Sequence, residues 1–280
     1  MKPTFIGIGA QKCASTWLYR ILAEHPQVGV SADKELDFFS YRYDRGFQWY
    51  ERHFDPCAGK LAMGEISPSY FAEPAVPERV FRYVPTAKVL VSFREPIQRA
   101  LSNHKHEVRL GQFSGPDLSF EAGLRNNPMY VEQGRYGTHL ARWLEYFPQE
   151  QIMCMFMEDV ERQPERVAAD VYQFLGVDPA YQPAGIATKF NPSYANRYRW
   201  LLGIKDTAYK LTKLPGGAQL WQLAQRFGLR DAYRSVNRLE SQQAIPPVQA
   251  HTLDALRQTF GDEVQRLANL TGRDLSGWLR

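Results

Sequence analysis

Residues 5–17 read FIGIGAQKCASTW. The run 4–9 (TFIGIG) is short and apolar, ends in glycine, and gives way to helical spacing at Ser15, so the stretch reads as a buried strand, a tight loop and a helix. A helix starting there aims its unbonded N–H groups and the positive end of its dipole at whatever the loop holds, and an anion suits that place. Neither familiar nucleotide loop fits. A Walker A loop needs G-x-x-x-x-G-K-[ST], whereas Gln11 precedes Lys12, and Ser15 and Thr16 follow it three and four residues later. A dinucleotide loop needs glycine where Lys12 stands, although Glu35 lies where a ribose-binding acid is expected. A glycine-containing turn without a ligand stays open on this loop alone.

Outward from the loop, three further apolar runs read as buried strands: 61–65 (LAMGE), 88–93 (KVLVSF) and 151–157 (QIMCMFM). Helical spacing and start signals predict helices over 15–24, 76–83, 96–110, 137–146, 165–175 and 247–268, and Pro26, Pro85, Pro148 and Pro179 fall just after four of them. Strands alternating with helices predict an α/β fold: a parallel sheet flanked by helices, like that of the P-loop NTPases, with a helical C-terminal region. The expected organisation is one domain over 1–280, with an α/β core over 1–197, a basic helical region over 198–246 and a C-terminal helix over 247–280 packing on the core. In the middle region Lys205, Lys210, Lys213, Arg226, Arg230, Arg234 and Arg238 are interleaved with Leu, Trp, Phe and Tyr. That pattern suits a packed amphipathic subdomain, a surface for an anionic acceptor, or peripheral membrane contact through 198–238.

With 44% hydrophobic residues, the 280-residue chain can bury a sizeable core. Its formal charge of +4, from 34 basic and 30 acidic residues, falls well short of a nucleic-acid binder. Cys13, Cys57 and Cys154 are odd in number and widely spaced, which predicts free thiols and no metal site. The N-terminus passes at once into a strand-like run and no apolar stretch reaches the ~18 residues of a membrane span, so a cytoplasmic protein is expected. Nothing in the composition speaks to oligomeric state.

The second anion-binding pattern is 89-VLVSFREPIQRALSNHKH-106, a strand, an Arg-x-Pro turn and a helix. Arg94 leaves the end of a buried strand, where ligands of open parallel sheets collect, and its forked guanidinium suits phosphate oxygens. Ser102 follows two helical turns later, although a salt bridge from Arg94 to Glu95 or Glu65 would be the plain alternative. Between the two patterns stand 34-KELDFF-39 and 64-GEISPSYF-71, and further on 134-GRYGTHLARWLEYFP-148 and 174-FLGV-177.

Taken in this order, the motifs resemble the sulfotransferases that use 3′-phosphoadenosine 5′-phosphosulfate (PAPS), and most of all the heparan-sulfate type, over about residues 3–180. The resemblance implies PAPS as the donor and roles for individual residues. Gln11, Lys12, Cys13, Ala14, Ser15, Thr16 and Trp17 surround the 5′-phosphosulfate; Lys12 is the catalytic lysine at the bridging oxygen, and Arg94 and Ser102 hold the 3′-phosphate. Glu35 is the base that faces the acceptor hydroxyl or amine. His106, four residues after Ser102 and on the same helix face, matches a histidine of the heparan N-sulfotransferases and is an auxiliary catalytic residue. Tyr136 and His139 fall where the resemblance places the cofactor or acceptor cleft, and for both of them and for Tyr70 a place in the core stays open. Lys189 and Phe190 in 189-KFNPSY-194 lie where the family closes over adenine, but the cysteines that staple this loop in the animal enzymes are missing.

The acceptor implied is a carbohydrate hydroxyl or amine, with a lipid or other small molecule as the alternative. A P-loop kinase or NTPase is the competing enzyme class, weakened by the broken Gly-Lys-[Ser/Thr] spacing and by VLVSF ending in Arg where a Walker B acid would stand. A catalytically dead nucleotide or glycan binder would be suggested by loss of the lysine or the base, and both are present.

Overall fold

The structure, a computed structural model, describes residues 1–113, 115–186 and 245–280, with the backbone of Tyr194–Asn196 and Arg238–Glu240. Lys189, Phe190 and nearly all of the basic region 198–246 lie outside the described residues. The chain divides into two compact units, one made of Met1–Ala100, Pro128–Asn191 and Ala250–Arg280 and the other of Leu101–Asn127 and Pro192–Gln249.

The first unit opens with β1 (Phe5–Gly9), α1 (Ser15–Glu24), β2 (Val28–Val30), α2 (Phe38–Tyr41), α3 (Phe47–Glu51) and β3 (Ala62–Ile66). It continues with α4 (Val76–Tyr83) and β4 (Lys88–Phe93), and α5 (Pro96–Leu110) begins in it. After the second unit's first segment come α7 (Met129–Glu132), α8 (Tyr136–Leu144), β5 (Ile152–Phe156), α9 (Met157–Arg162) and α10 (Pro164–Leu175). The sheet has five strands in the order β2-β3-β1-β4-β5, and every pairing is parallel. The expected α/β architecture is therefore present, with one strand more than the sequence reading found. That strand, β2, is the three-residue run VGV at the sheet edge, too short to show a pattern.

Fully buried parallel strands read as continuous apolar runs, and β1 is buried at all five positions. On one face of the sheet, Trp17, Leu18, Ile21 and Leu22 of α1 pack with Phe5, Ile66 and Leu90 from the strands and with Val167, Val171, Tyr172 and Leu175 of α10. The Tyr172 hydroxyl donates to the carbonyl of Ile21 over 2.8 Å, joining the two helices. α10 starts on Pro164 and stops at Gly176, which takes the left-handed conformation, φ 81°, that ends helices cheaply. The closing helix α11 (Ala250–Thr271) belongs to this unit, where Glu263 accepts from the Thr138 amide (2.8 Å) and hydroxyl (2.6 Å) on α8.

The glycines of the opening motif serve the strands. A Cβ at Gly7 would come within 2.7 Å of Ile66 Cγ1, and one at Gly9, φ 135°, within 2.9 Å of the Pro68 carbonyl oxygen. β1 can lie this close to β3 and its following turn only without side chains at those places.

The second unit holds the rest of α5, α6 (Phe120–Asn126), and an antiparallel pair of short strands, β6 (Tyr194–Asn196) with β7 (Arg238–Glu240). Among the described residues no helix is long and apolar enough to cross a membrane.

Candidate active site

In this strand order the connection out of β1 runs to one side and the connection out of β4 to the other, so the crevice of an open α/β sheet falls between their carboxyl ends. The Ala10 amide donates to the Ser92 carbonyl over 2.8 Å, which ties the loop after β1 directly to the end of β4. On the far side of β1, the turn after β3 is sewn to it by the Ser67 amide to Gly7 (2.8 Å) and the Phe71 amide to Ile8 (2.9 Å). The Glu35 amide in turn donates to the carbonyl of Ile66, the last residue of β3, over 3.2 Å. Glu35, Lys12 and Arg94 thus hang from the carboxyl ends of three consecutive strands, β3, β1 and β4.

The loop carrying Lys12 has left-handed backbone at Lys12 (φ 68°) and Ala14 (φ 64°), and the turn carrying Glu35 has it at Glu35 (φ 65°) and Asp37 (φ 51°). Among the described residues these are the only non-glycine positions of that kind. Such conformations cost a residue with a side chain on the order of 1 kcal/mol each and persist where the surroundings hold them, a pattern concentrated at functional sites.

The amino end of α1 suits an anion. Its N-cap, Ala14, offers no side-chain cap, and its first turn holds no acidic residue. By contrast α5 is closed by Glu95, whose carboxylate accepts from the amides of Ile97 and Gln98, both over 2.7 Å. An uncapped end leaves N–H donors and the helix dipole for a ligand, a contribution of ~1 kcal/mol or more toward a bound anion. Lys12 adds a full positive charge to the same loop.

Cys13 and Tyr136 form the floor of this loop. Both are fully buried, and the Tyr136 hydroxyl lies 3.7 Å from Cys13 Sγ. Burial pushes the Cys13 thiol up to about 11, against the hydrogen bond from Tyr136 and the fields of Arg99 and Arg94, which pull it down. Arg94 is therefore close enough for its charge to act at the loop. Trp17 is also buried, and its indole N–H donates to the Ile186 carbonyl over 3.1 Å, so its side chain serves the core and only its backbone faces the loop. Among the described residues, no carboxylate pairs with the half-buried Arg94. Glu95 is occupied in capping, and Glu65 accepts from Tyr50, Tyr70 and Ser67. The salt bridge that was the plain alternative for Arg94 does not form.

The Glu35 carboxylate is 47% exposed and ion-paired with Lys34. The wall beneath is aromatic: Phe38 stacks on Tyr50 with centroids 4.5 Å apart, and Phe39 meets Tyr70 edge to face. Tyr70 and His139 are core residues. The Tyr70 hydroxyl donates to Glu65, and His139 Nε2 donates to the Glu132 carbonyl over 2.8 Å, with burial pushing the imidazole pKa down.

Ser102 and His106 lie one turn apart on the part of α5 that belongs to the second unit. Arg109 Nη2 donates to His106 Nδ1 over 2.5 Å, so the neutral ring carries its proton on Nε2. His104 is buried, donates to the Leu118 carbonyl over 2.9 Å and packs against Phe113 and Phe120, which rules out a shared metal role with His106.

The sheet order, the loop after β1 and the cationic strand end define a P-loop-like α/β protein whose switch point suits an anion. The family follows from comparison: a model described as "Sulfotransferase domain" matches residues 2–252, and the chain belongs to that family. It is 30% identical over 199 residues to the human bifunctional heparan sulfate N-deacetylase/N-sulfotransferase 3, covering 64% of this chain and 23% of that protein. It is 31% identical over 122 residues to the membrane-associated sulfotransferase kil1 of Dictyostelium discoideum, covering 42% of this chain and 26% of that protein. The chain thus spans about a quarter of the length of the curated relatives it matches. Among solved structures, the sulfotransferase from Alicyclobacillus acidocaldarius superposes with a TM-score of 0.71 at 25% identity, covering 100% of both chains.

Proposed function

We propose that the protein is a PAPS-dependent sulfotransferase whose acceptor is the hydroxyl or amine of a carbohydrate. The observation that carries this reading is the placement of a helix end without a side-chain cap beside Lys12, an arginine with no carboxylate partner among the described residues, and an exposed glutamate on three consecutive strand ends. The residues present fit the donor, because two separate cationic positions flank one crevice and the nucleotide carries phosphate at two positions. When bound, PAPS supplies an activated sulfuryl group with a phosphate as its leaving group.

The chain's own residues then divide the work. Ser15, Thr16 and the amino end of α1 bind the phosphate end, and Lys12 neutralises the charge that develops there. Arg94 takes the second phosphate with a forked, charge-assisted contact. Glu35 accepts the proton of the attacking hydroxyl or amine. The carbohydrate reading is supported by the heparan sulfate enzymes among the relatives. It is tested by calorimetry with 3′-phosphoadenosine 5′-phosphate against ATP and NAD, followed by transfer of labelled sulfate from PAPS to a glycan panel. Preference for ATP would favour a kinase, and transfer only to lipids would overturn the carbohydrate assignment.

A further inference from the structure

The turn that carries Glu35 is held by a buried hub centred on Glu65, whose two links to the turn span 30 and 31 positions in the chain. Glu65, the penultimate residue of β3, is fully buried. Its Oε1 accepts from Tyr50 (3.0 Å) and Tyr70 (2.6 Å), and its Oε2 accepts from Ser67 (2.5 Å). Two of these donors reach onward into the Glu35 turn. The Ser67 hydroxyl oxygen accepts the amide of Asp37 over 2.9 Å, and the Tyr70 hydroxyl oxygen accepts the amide of Phe39 over 3.2 Å. The same turn is closed at its other edge by Ser69, which donates to Asp37 Oδ1 over 2.6 Å and shares a hydrogen bond with Ser40 over 2.8 Å.

A hydroxyl that donates to a carboxyl oxygen has its lone pairs left for an incoming N–H, and the two hydrogen bonds polarise one another. Glu65 therefore orients both hydroxyls toward two alternate amides of one turn. That turn has left-handed backbone at Glu35 and Asp37, a conformation that needs external support. Burying a carboxyl group is costly, and here three hydroxyl donors offset the cost, two of which also hold the turn.

We propose that Glu65 is a positioning residue for Glu35, acting through Ser67 and Tyr70 to hold the 35–39 turn so that the Glu35 carboxylate faces the acceptor. The inference rests on the sulfotransferase reading for its functional meaning, while the structural link stands by itself. Tyr50 is the internal control. It gives Glu65 the same kind of hydrogen bond as Tyr70, but among the described residues its hydroxyl accepts no amide of the turn, so Tyr50→Phe and Tyr70→Phe remove like hydroxyls with unequal reach.

The experiment compares Ser67→Ala, Tyr70→Phe and Tyr50→Phe in the full chain, with two readouts. The first is amide hydrogen exchange: the Asp37 amide loses protection in Ser67→Ala, the Phe39 amide loses it in Tyr70→Phe, and neither changes in Tyr50→Phe. The second is turnover at saturating PAPS with unchanged affinity for 3′-phosphoadenosine 5′-phosphate. Ser67→Ala and Tyr70→Phe lose up to ~10²-fold in kcat, as expected for a misplaced catalytic group, while Tyr50→Phe stays near wild type. Equal kcat losses in all three variants, or unchanged exchange at Asp37 and Phe39, would overturn the proposal. If wild-type protein transfers sulfate to no acceptor, the sulfotransferase reading falls, and the exchange measurement alone still decides whether the hub holds the turn.

Discussion

The backbone of Ala10 is bonded to Ser92 across 2.8 Å, which sets the residue two before Lys12 against the residue two before Arg94. The two cations therefore leave adjoining strand ends on opposite sides of one crevice, and their roles can be separated by mutation. Lys12→Ala should abolish sulfate transfer while 3′-phosphoadenosine 5′-phosphate still binds. Arg94→Ala should weaken the nucleotide by ~1.5–3 kcal/mol, roughly ten- to hundredfold, because a charge-assisted contact is lost. Calorimetry on both variants checks the division, and equal loss of affinity in the two would contradict it.

Glu35 carries its carboxylate at the surface, beside Lys34, and makes no contribution to the core. Glu35→Gln keeps the size and removes the proton acceptor. The expected outcome is a fall in kcat of ~10²–10⁴-fold with nucleotide affinity and melting temperature unchanged, as for loss of a general base. A variant that loses stability in step with activity would assign Glu35 a structural role instead.

The parts of the molecule legible in the sequence are those with local pattern. β1, β3, β4 and β5 are largely buried and so appear as short, mostly apolar runs, and α1, α4 and α5 run over the residues that their spacing predicts. β2 was invisible because three residues carry no period, and α2 and α3 because a dense aromatic segment has no polar face to set against an apolar one. At the site, Lys12, Arg94 and Glu35 stood out by motif. The hub did not: Ser67 meets Asp37 and Tyr70 meets Phe39 across about thirty positions, and such pairings leave no spacing to read. Glu65 reads in the sequence as a partner for Arg94, and the structure gives its carboxylate to three hydroxyls instead.

Cys13 sits in the middle of the anion loop, where a thiolate would be drawn to the same positive field as a phosphate. It is fully buried, and burial holds the thiol up at about 11. A buried neutral thiol is a poor nucleophile. Native protein treated with a thiol reagent at pH 8 should therefore keep Cys13 unmodified until it unfolds, with or without nucleotide. Tyr136→Phe, which removes the one hydroxyl against the sulfur, should loosen the loop floor and weaken nucleotide binding without exposing the thiol. Rapid modification of Cys13 in the native wild type would show that the loop opens.

Glu65 also gives the fold a pH dependence of defined sign. Burial pushes its carboxyl up to about 7 from an ordinary 4.5, and the hydrogen bonds from Ser67, Tyr70 and Tyr50 only partly offset this. The titratable groups that act on it, Tyr50 from α3, Tyr70 and Asp37, supply no positive charge, and Asp37 raises it further. In the window from about 4.5 to about 7 the folded protein keeps this proton while the unfolded chain releases it, so the native state binds more protons and stability falls as pH rises through the window. The contribution is fully present below 4.5 and gone above 7, a change on the order of 3 kcal/mol from this group. Glu65→Gln, neutral throughout, should flatten that part of the curve and melt at a higher temperature than wild type at pH 8. Denaturant titrations of both proteins between pH 5 and pH 8 measure the difference directly, and parallel curves would mean that Glu65 is already ionised in the folded state at pH 5.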